Sequence, residues 1–249
     1  MKITDKIYNE NCIDTLKRIS NNTIDLVVTS PPYNMRTRIR NGKYTTREKS
    51  DHFSKKYEYF DDALSIDDFY NFHSKVLKEL LRTSKIICYN FQIVTGSKEA
   101  FFKIIGEFNL YIKDIIIWDK GHGQPAMHEM ILNSCYEFIL ILENDKKAGR
   151  MINNSKFERG CMDNILRIKR GKKISTDHGA VFPEKLVHIL IESFSKVGDL
   201  VYDPFLGTGT TAIVSNKLKR NFLGSEISFQ YYQSAIKRIQ NHVAQQKLF

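Results

Sequence analysis

Ser30, Pro31, Pro32 and Tyr33 follow directly on a short apolar run, Leu26-Val27-Val28, and are the residues of this chain best suited to hold a reacting group. The run reads as a buried strand, and the prolines end it, because proline fixes its own φ and has no N–H for a ladder. A hydroxyl and an aromatic ring are left at the strand end. Ligands of open parallel sheets bind at the carboxyl ends of the strands, which makes these four residues the candidate catalytic group. A second cluster, Asp203-Pro204-Phe205-Leu206-Gly207-Thr208-Gly209-Thr210-Thr211, joins a strand to a helix. Glycine lets a backbone approach a ligand closely, and a helix start offers unpaired N–H groups. It is not a Walker phosphate loop, since no lysine follows Gly209 and no Gly-x-Gly-x-x-Gly is complete. Glu226 ends the next strand, where an acid can accept hydrogen bonds from both hydroxyls of a ribose.

The elements that must position these residues alternate along the chain. Strands are predicted near Lys6–Tyr8, from Leu26, at Lys85–Tyr89, Asp114–Trp118, Tyr136–Leu142, Leu200–Tyr202 and Asn221–Leu223. Helices are predicted at Cys12–Ser20, over 66–83, at Ser97–Phe108 and after Pro183, with Phe69, Phe72, Val76 and Leu80 on one face of the second and Leu186, Ile189, Leu190 and Phe194 inward on the last. The pattern implies an α/β fold, a seven-stranded, mostly parallel sheet with helices on both faces, in one domain over 1–249.

With 42% apolar and 12% aromatic residues the chain can bury a large core. Its first residues lack an apolar signal core, and no run approaches the roughly 18 apolar residues of a membrane helix, so a soluble, intracellular protein is expected. Cys12, Cys88, Cys135 and Cys161 are scattered and suggest neither disulfides nor zinc. His122, His128 and Glu129 match no metal-ligand spacing, and no metal is expected. The net charge of +10 is concentrated in two segments: residues 35–58 carry eight Lys/Arg against three acids, and 145–178 carry ten against four. Both lack sustained periodicity and interleave cations with aromatics or amides, as a phosphate-tracking surface does. The first is long for a loop inside a domain and contains Asn41-Gly42, which suggests a mobile lid.

Thr-Ser-Pro-Pro-Tyr-Asn at 29–34, together with the glycine motif at 203–211, resembles the amino methyltransferases of DNA, which move a methyl group from S-adenosylmethionine to an exocyclic amine. The order, catalytic motif early and glycine motif late, resembles their beta group, so the implied fold is the Rossmann-like methyltransferase sheet in circularly permuted form. Asp177-His178-Gly-Ala-Val-Phe182-Pro183 resembles the family motif that closes over the methionine end of the cofactor. Gly224-Ser225-Glu226 with Tyr232, Ala235 and Arg238 resembles its ribose-binding strand and following helix. Asn11-Cys12 stands where the family often has Asp-Cys beside the adenine, and Gly179 where it usually has proline. The resemblance therefore implies S-adenosylmethionine held by Asn11, Cys12, His178, Phe182, Pro183, Asp203, Pro204, Phe205, Gly207, Gly209, Thr210, Thr211 and Glu226, with S-adenosylhomocysteine as product.

An exocyclic amine is a poor nucleophile because its lone pair is delocalised into the ring. A Ser30 hydroxyl and the Pro31 carbonyl are two acceptors that could hold its hydrogens and aim the lone pair, with Tyr33 as a ring for the base to stack on. A base in a duplex cannot reach such a pocket, so flipping is implied. Residues 35–58, with Arg36, Arg38 and Arg40, are expected to close over double-stranded DNA. Residues 145–178 are expected to recognise the target, with Lys169, Arg170, Lys172 and Lys173 on phosphate and Arg150, Asn153, Asn154, Arg159 and Arg167 near base edges. Ser-Pro-Pro-Tyr favours cytosine N4 over adenine N6. An RNA or protein-amide methyltransferase of the same fold, and a catalytically silent DNA-binding module, stay open as alternatives. The family layout also implies a homodimer, a cognate restriction endonuclease as partner, and a cytoplasmic setting in a prokaryote or phage.

Overall fold

The computed structural model describes residues 3–40, 43–46, 63–124, 129–146, 149–169 and 182–246. Alternating elements follow in the expected order: β1 (Lys6–Tyr8), α1 (Cys12–Lys17), β2 (Ile24–Thr29), β3 (Thr37–Arg40), β4 (Lys43–Thr46), α2 (Ile66–Thr83), β5 (Ser84–Phe91), α3 (Lys98–Phe108), β6 (Ile112–Gln124) and β7 (Ser134–Glu143). The chain then forms β8 (Ile165–Arg167), α4 (Glu184–Phe194), β9 (Leu200–Asp203), α5 (Thr210–Lys217), β10 (Asn221–Ser225) and α6 (Phe229–Gln246). The main sheet has eight strands in the order β1-β10-β9-β2-β5-β7-β6-β8. The first five in that order run parallel, β7 is antiparallel to both β5 and β6, and β8 is parallel to β6.

Both faces of the sheet are covered, which is why its strands read as continuous apolar runs. Leu26, Val28, Ile86, Cys88, Ile139, Ile141 and Val201 pack with Leu186, Val187, Leu190, Ile191 and Phe194 of α4. Val27, Ile87, Tyr89, Leu140 and Leu142, in the alternate positions, pack with Leu16 of α1, Phe69, Val76 and Leu80 of α2 and Phe101 of α3. Helix α2 starts where Ser65 Oγ accepts the Asp68 N–H at 3.1 Å, with Asp67 and Asp68 in its first turn facing the positive end of the helix dipole.

Two features differ from the sequence expectation. The sheet has an eighth strand, β8, drawn from the basic segment that looked aperiodic; its three residues align Ile117 with Ile165 and Asp119 with Arg167, too short a stretch to show a period. The segment after Tyr33 also opens with structure, the antiparallel pair β3–β4, in which Arg40 lies opposite Lys43. The β-branched residues and the Asn41-Gly42 between the strands are a hairpin signal that outweighs the missing hydrophobic alternation. Residues 47–58 of that segment lie outside the described residues.

Chain order fixes where a ligand can sit. From β2 the chain moves to β5 on one side, and it later returns to place β9 on the other side of β2. This reversal opens a crevice between the carboxyl ends of β2 and β9. One glycine holds the rim of that crevice close: a Cβ on Gly96, before α3, would lie 2.3 Å from the Asn34 carbonyl oxygen and 2.7 Å from Thr37 Cβ. Backbone cannot yield as a flexible side chain does. Gly96→Ala should therefore destabilise the fold by about 1–3 kcal/mol in urea titration, an overpacking cost; an unchanged midpoint would show that this loop moves freely.

Candidate active site

Thr29, the last residue of β2, donates through Oγ1 to Asp203 Oδ1 at 2.7 Å, across 174 residues of sequence. Asp203 Oδ1 also accepts the Phe205 N–H at 3.0 Å, and Oδ2 accepts from Thr211 Oγ1 at 2.7 Å. One buried carboxylate thus joins the end of β9, the end of β2 and the first turn of α5. It sets Ser30 to Tyr33 and the glycine turn on the two sides of the same crevice. Burial pushes the Asp203 carboxyl up to about 6, against the lowering effect of the Thr29, Thr211 and Phe205 hydrogen bonds.

The glycine turn is shaped for a visitor. Gly207 has φ +57° and nothing within 4 Å of where a Cβ would be, so its outer side faces open space. Gly209 has φ +88°, and a Cβ there would lie 3.1 Å from Ala235 Cβ, so it serves the seating of α5 on α6. Glu226 lies across the turn: Oε2 accepts the Gly207 N–H at 2.7 Å and Oε1 accepts the Ser228 N–H at 2.8 Å. Burial raises its pKa, opposed by those backbone bonds. Arg238 of α6 clamps the turn from behind, donating to the Thr208 carbonyl at 2.6 Å and to its hydroxyl at 2.9 Å. Thr210 and Thr211 open α5 and are buried, as Pro204 is. Phe205, half-buried, has its ring 5.9 Å from Phe72.

On the other side, Ser30 Oγ lies 2.6 Å from Tyr33 Oη, and Tyr33 Oη donates to Glu137 Oε2 at 3.0 Å. Asn90, near the end of β5, points Nδ2 at Glu137 Oε2 (2.7 Å), Tyr33 Oη (2.6 Å) and Ser30 Oγ (3.2 Å). Its Oδ1 is buried and has no hydrogen-bond partner among the described residues. Lys120 of β6 holds Glu137 Oε1 at 3.1 Å, with the two side chains 0% and 8% exposed. Pro31 and Pro32 are buried. The stacking role expected for Tyr33 meets a different arrangement: the residue is 4% exposed, its ring is 6.4 Å from Phe91, and its hydroxyl is turned inward. A buried carboxylate that needs a donor draws it there. Asn34 takes φ +58° and donates to the Leu64 and Gly96 carbonyls at 3.0 and 2.9 Å, which anchors the end of the motif.

The remaining predicted residues divide by position. Cys12 is buried near Asp203, and burial pushes its thiol up to about 12, so it stays a neutral thiol. Asn11 caps α1, its Oδ1 accepting the Ile13 N–H at 2.9 Å. Phe182 packs 6.3 Å from the Trp118 ring, and Pro183 caps α4 at the same end of the sheet as Ser30. Arg167 and Lys169 are exposed beside the end of β6, and Arg40 is exposed on β3, while Arg36 is half-buried. Three expected base readers lie elsewhere. Asn153 and Asn154 donate through backbone and side chain to Glu143, the last residue of β7, and Arg150 pairs with Asp114 near the start of β6. Antiparallel register puts Glu143 opposite Ile86, so these residues sit at the edge of the sheet away from Ser30, roughly 20 Å along the strands from Lys120. Arg159 is exposed in the same segment. His178, Arg170, Lys172 and Lys173 lie outside the described residues, as does the Arg38 side chain.

Asn90, Glu137 and Lys120 were not singled out in the sequence. A polar residue at the carboxyl end of an otherwise apolar strand is the signal that marks Asn90. Among the described residues no group of three or more His, Cys, Asp or Glu could hold a metal ion, and no helix is long and apolar enough to cross a membrane.

The Asp203 environment makes a checkable statement about stability. Its folded-state pKa of about 6 lies above the ordinary 3.8, so the native state holds this proton more tightly than the unfolded chain. The resulting stabilisation is complete below about pH 4 and is lost as pH rises through about 6. Relative to Asp203→Asn, the wild type should lose up to about 3 kcal/mol over that window, read as a pH-dependent difference in Tm. A flat difference would mean that the three donors hold the carboxylate ionised throughout.

A family model described as DNA methylase matches residues 24–237. The type II methyltransferase M.HinfI of Haemophilus influenzae is 32% identical over 254 aligned residues, which cover 94% of this chain and 67% of the relative. M.BglII of Bacillus subtilis is 25% identical over 92% of this chain and 67% of its own length, so the chain spans about two thirds of these curated relatives. Among solved structures, the cytosine-N4-specific PvuII DNA methyltransferase matches with a TM-score of 0.68 at 15% identity, covering 95% of this chain and 90% of that one. The M1.HpyAVI–SAM complex matches with a TM-score of 0.58 at 19% identity, covering 94% and 98%. At these identities the structural likenesses speak for the fold. The family match across most of the chain and the relative at 32% identity make the assignment: this chain belongs to the N6/N4 DNA methylase family, the S-adenosylmethionine-dependent amino methyltransferases of DNA.

Proposed function

We propose that this chain transfers a methyl group from S-adenosylmethionine to the exocyclic amine of a base flipped out of double-stranded DNA, with cytosine N4 as the target. The observation that carries the reading is the Thr29–Asp203 bond, which brings the Ser30–Tyr33 turn and the glycine turn to one crevice. The open side of Gly207 fits a cofactor that needs close backbone approach, and Glu226 keeps a further lone pair on each oxygen for ribose hydroxyls. Bound there, S-adenosylmethionine supplies an electrophilic methyl group. The chain's own residues do the rest by positioning. Ser30 Oγ and the Pro31 carbonyl accept the amine hydrogens, which weakens conjugation of the nitrogen with the ring. The prolines hold that carbonyl without offering a competing donor.

Cytosine is favoured because a serine, not an acid, leads the Pro-Pro-Tyr turn. DNA contact falls to the exposed cations on the site side of the sheet, Arg40, Arg167 and Lys169, with flipping costing roughly a few kcal/mol. The M.HinfI relative is named a type II methyltransferase, which supports a setting in restriction and modification and a cognate endonuclease as partner. A homodimer and a cytoplasmic location belong to the same reading.

Mass spectrometry of nucleosides from DNA of a methylation-free host expressing the chain should show N4-methylcytosine. N6-methyladenine would move the target base, and neither product would overturn the reading. Gly207→Val should abolish S-adenosylmethionine binding in calorimetry, because a side chain would fill the open space at a left-handed backbone position; wild-type affinity would displace the cofactor from this turn. Arg167→Glu with Lys169→Glu should weaken DNA binding and flatten its dependence on log salt by about two phosphate contacts. An unaltered slope would place the phosphate contacts elsewhere.

A further inference from the structure

Methylation of an amine leaves the nitrogen with one proton too many, and the proposed chemistry above names no group that takes it. We infer that Glu137 is the terminal acceptor of that proton, reached from the substrate through Ser30 and Tyr33. The inference rests on the amino methyltransferase reading and adds a positioning residue to it.

Hydrogen-bond direction supports it. Glu137 has only acceptors to offer: Oε1 faces the Lys120 ammonium at 3.1 Å, and Oε2 faces Tyr33 Oη at 3.0 Å and Asn90 Nδ2 at 2.7 Å. The Tyr33 proton is therefore directed at Glu137. With its own proton placed, Tyr33 Oη can only accept, and two described neighbours can donate to it: Asn90 Nδ2 at 2.6 Å and Ser30 Oγ at 2.6 Å. The Ser30 proton points inward as a result, and a Ser30 lone pair is left toward the crevice to accept from the amine. Every donor in the chain points toward the carboxylate.

The step balances. As the N–C bond forms, one N–H bond of the amine breaks and its proton passes to Ser30 Oγ. The Ser30 proton moves to Tyr33 Oη, and the Tyr33 proton moves to Glu137 Oε2. The methylated amine leaves neutral, Ser30 and Tyr33 end as they began, and Glu137 is protonated until the product departs. Lys120 Nζ, 3.1 Å from Oε1, places a buried cation beside the acceptor. Among the described residues the groups facing Glu137 are few. On β6 they are Lys120 and the neutral Trp118 opposite it in register, while Asp119 is turned to the Gly121 N–H and toward Arg167. On β5 they are the neutral Asn90 and Phe91, whose register partner is Phe138, and on the turn after β2 they are Tyr33 and Ser30. Asn90 cannot take the proton itself, because a neutral amide is not a base at working pH, so the carboxylate one strand away is the acceptor within reach.

The test uses the full chain, S-adenosylmethionine and duplex DNA of the sequence the wild type methylates, comparing Glu137→Gln, Tyr33→Phe and the double variant Lys120→Met/Glu137→Gln. The double variant removes the buried charge beside the substituted carboxylate together with it. Cofactor and DNA affinities are expected within about twofold of wild type, while single-turnover rates fall about 100-fold or more, the usual worth of a lost proton acceptor. A double variant that methylates at the wild-type rate would overturn the inference, because Glu137 would then serve only to neutralise Lys120. Tyr33→Phe with full activity would overturn it too. A wild type that methylates no DNA removes the underlying reading and the relay together, an outcome distinct from an active wild type with equally active variants.

Discussion

The buried Asp203 carboxylate is the constraint on which the site depends. Its three donors come from the end of β2, from the turn after β9 and from the first turn of α5. Each donor fixes one wall of the crevice, so the relative placement of the catalytic turn and the glycine turn follows from a single group. A carboxylate in that position carries a desolvation penalty, which its raised pKa records. The penalty is offset because the alternative, three unpaired buried donors, is worse.

A second buried acid organises the other wall. Glu137 orients Tyr33, Tyr33 orients Ser30, and Asn90 braces all three. Lys120 makes the cluster electrically acceptable in a dry setting, and a buried pair of this kind defines geometry more than it adds stability. The same cluster explains why Tyr33 is drawn inward instead of lying open as a platform. Its ring packs toward Phe91, and its hydroxyl is the part that faces other polar groups.

The basic residues of the chain are divided by the sheet. Strand β8 returns beside β6 and carries Arg167 toward the site edge, with Lys169 just beyond it. Arg150, Asn153 and Asn154 stay at the opposite edge, satisfied by Asp114 and Glu143. A high local charge in the sequence therefore does not by itself locate a nucleic-acid surface. Which cations face DNA depends on which acids neutralise the others.

Much of this molecule was legible in its residues. Apolar runs placed most strand ends to within a residue or two, although β6 runs on to Gln124, six residues past Trp118; Pro31-Pro32 marked the end of β2, and Gly207 and Gly209 marked a turn whose φ values are +57° and +88°. These are local properties, set by backbone sterics and by burial on both faces of a sheet. Strand β8 was missed because its three residues lie inside a basic, aperiodic segment, and the β3–β4 pair because its strands lack hydrophobic alternation. The Thr29–Asp203 bond spans 174 residues and the Tyr33–Glu137 bond spans 104, and neither separation is encoded in any local pattern. The sequence by itself determined which residues could do chemistry. Strand order and register, fixed only when the sheet closes, decided which of them meet, which acid orients Ser30, and which arginines lie exposed at the same end of the sheet.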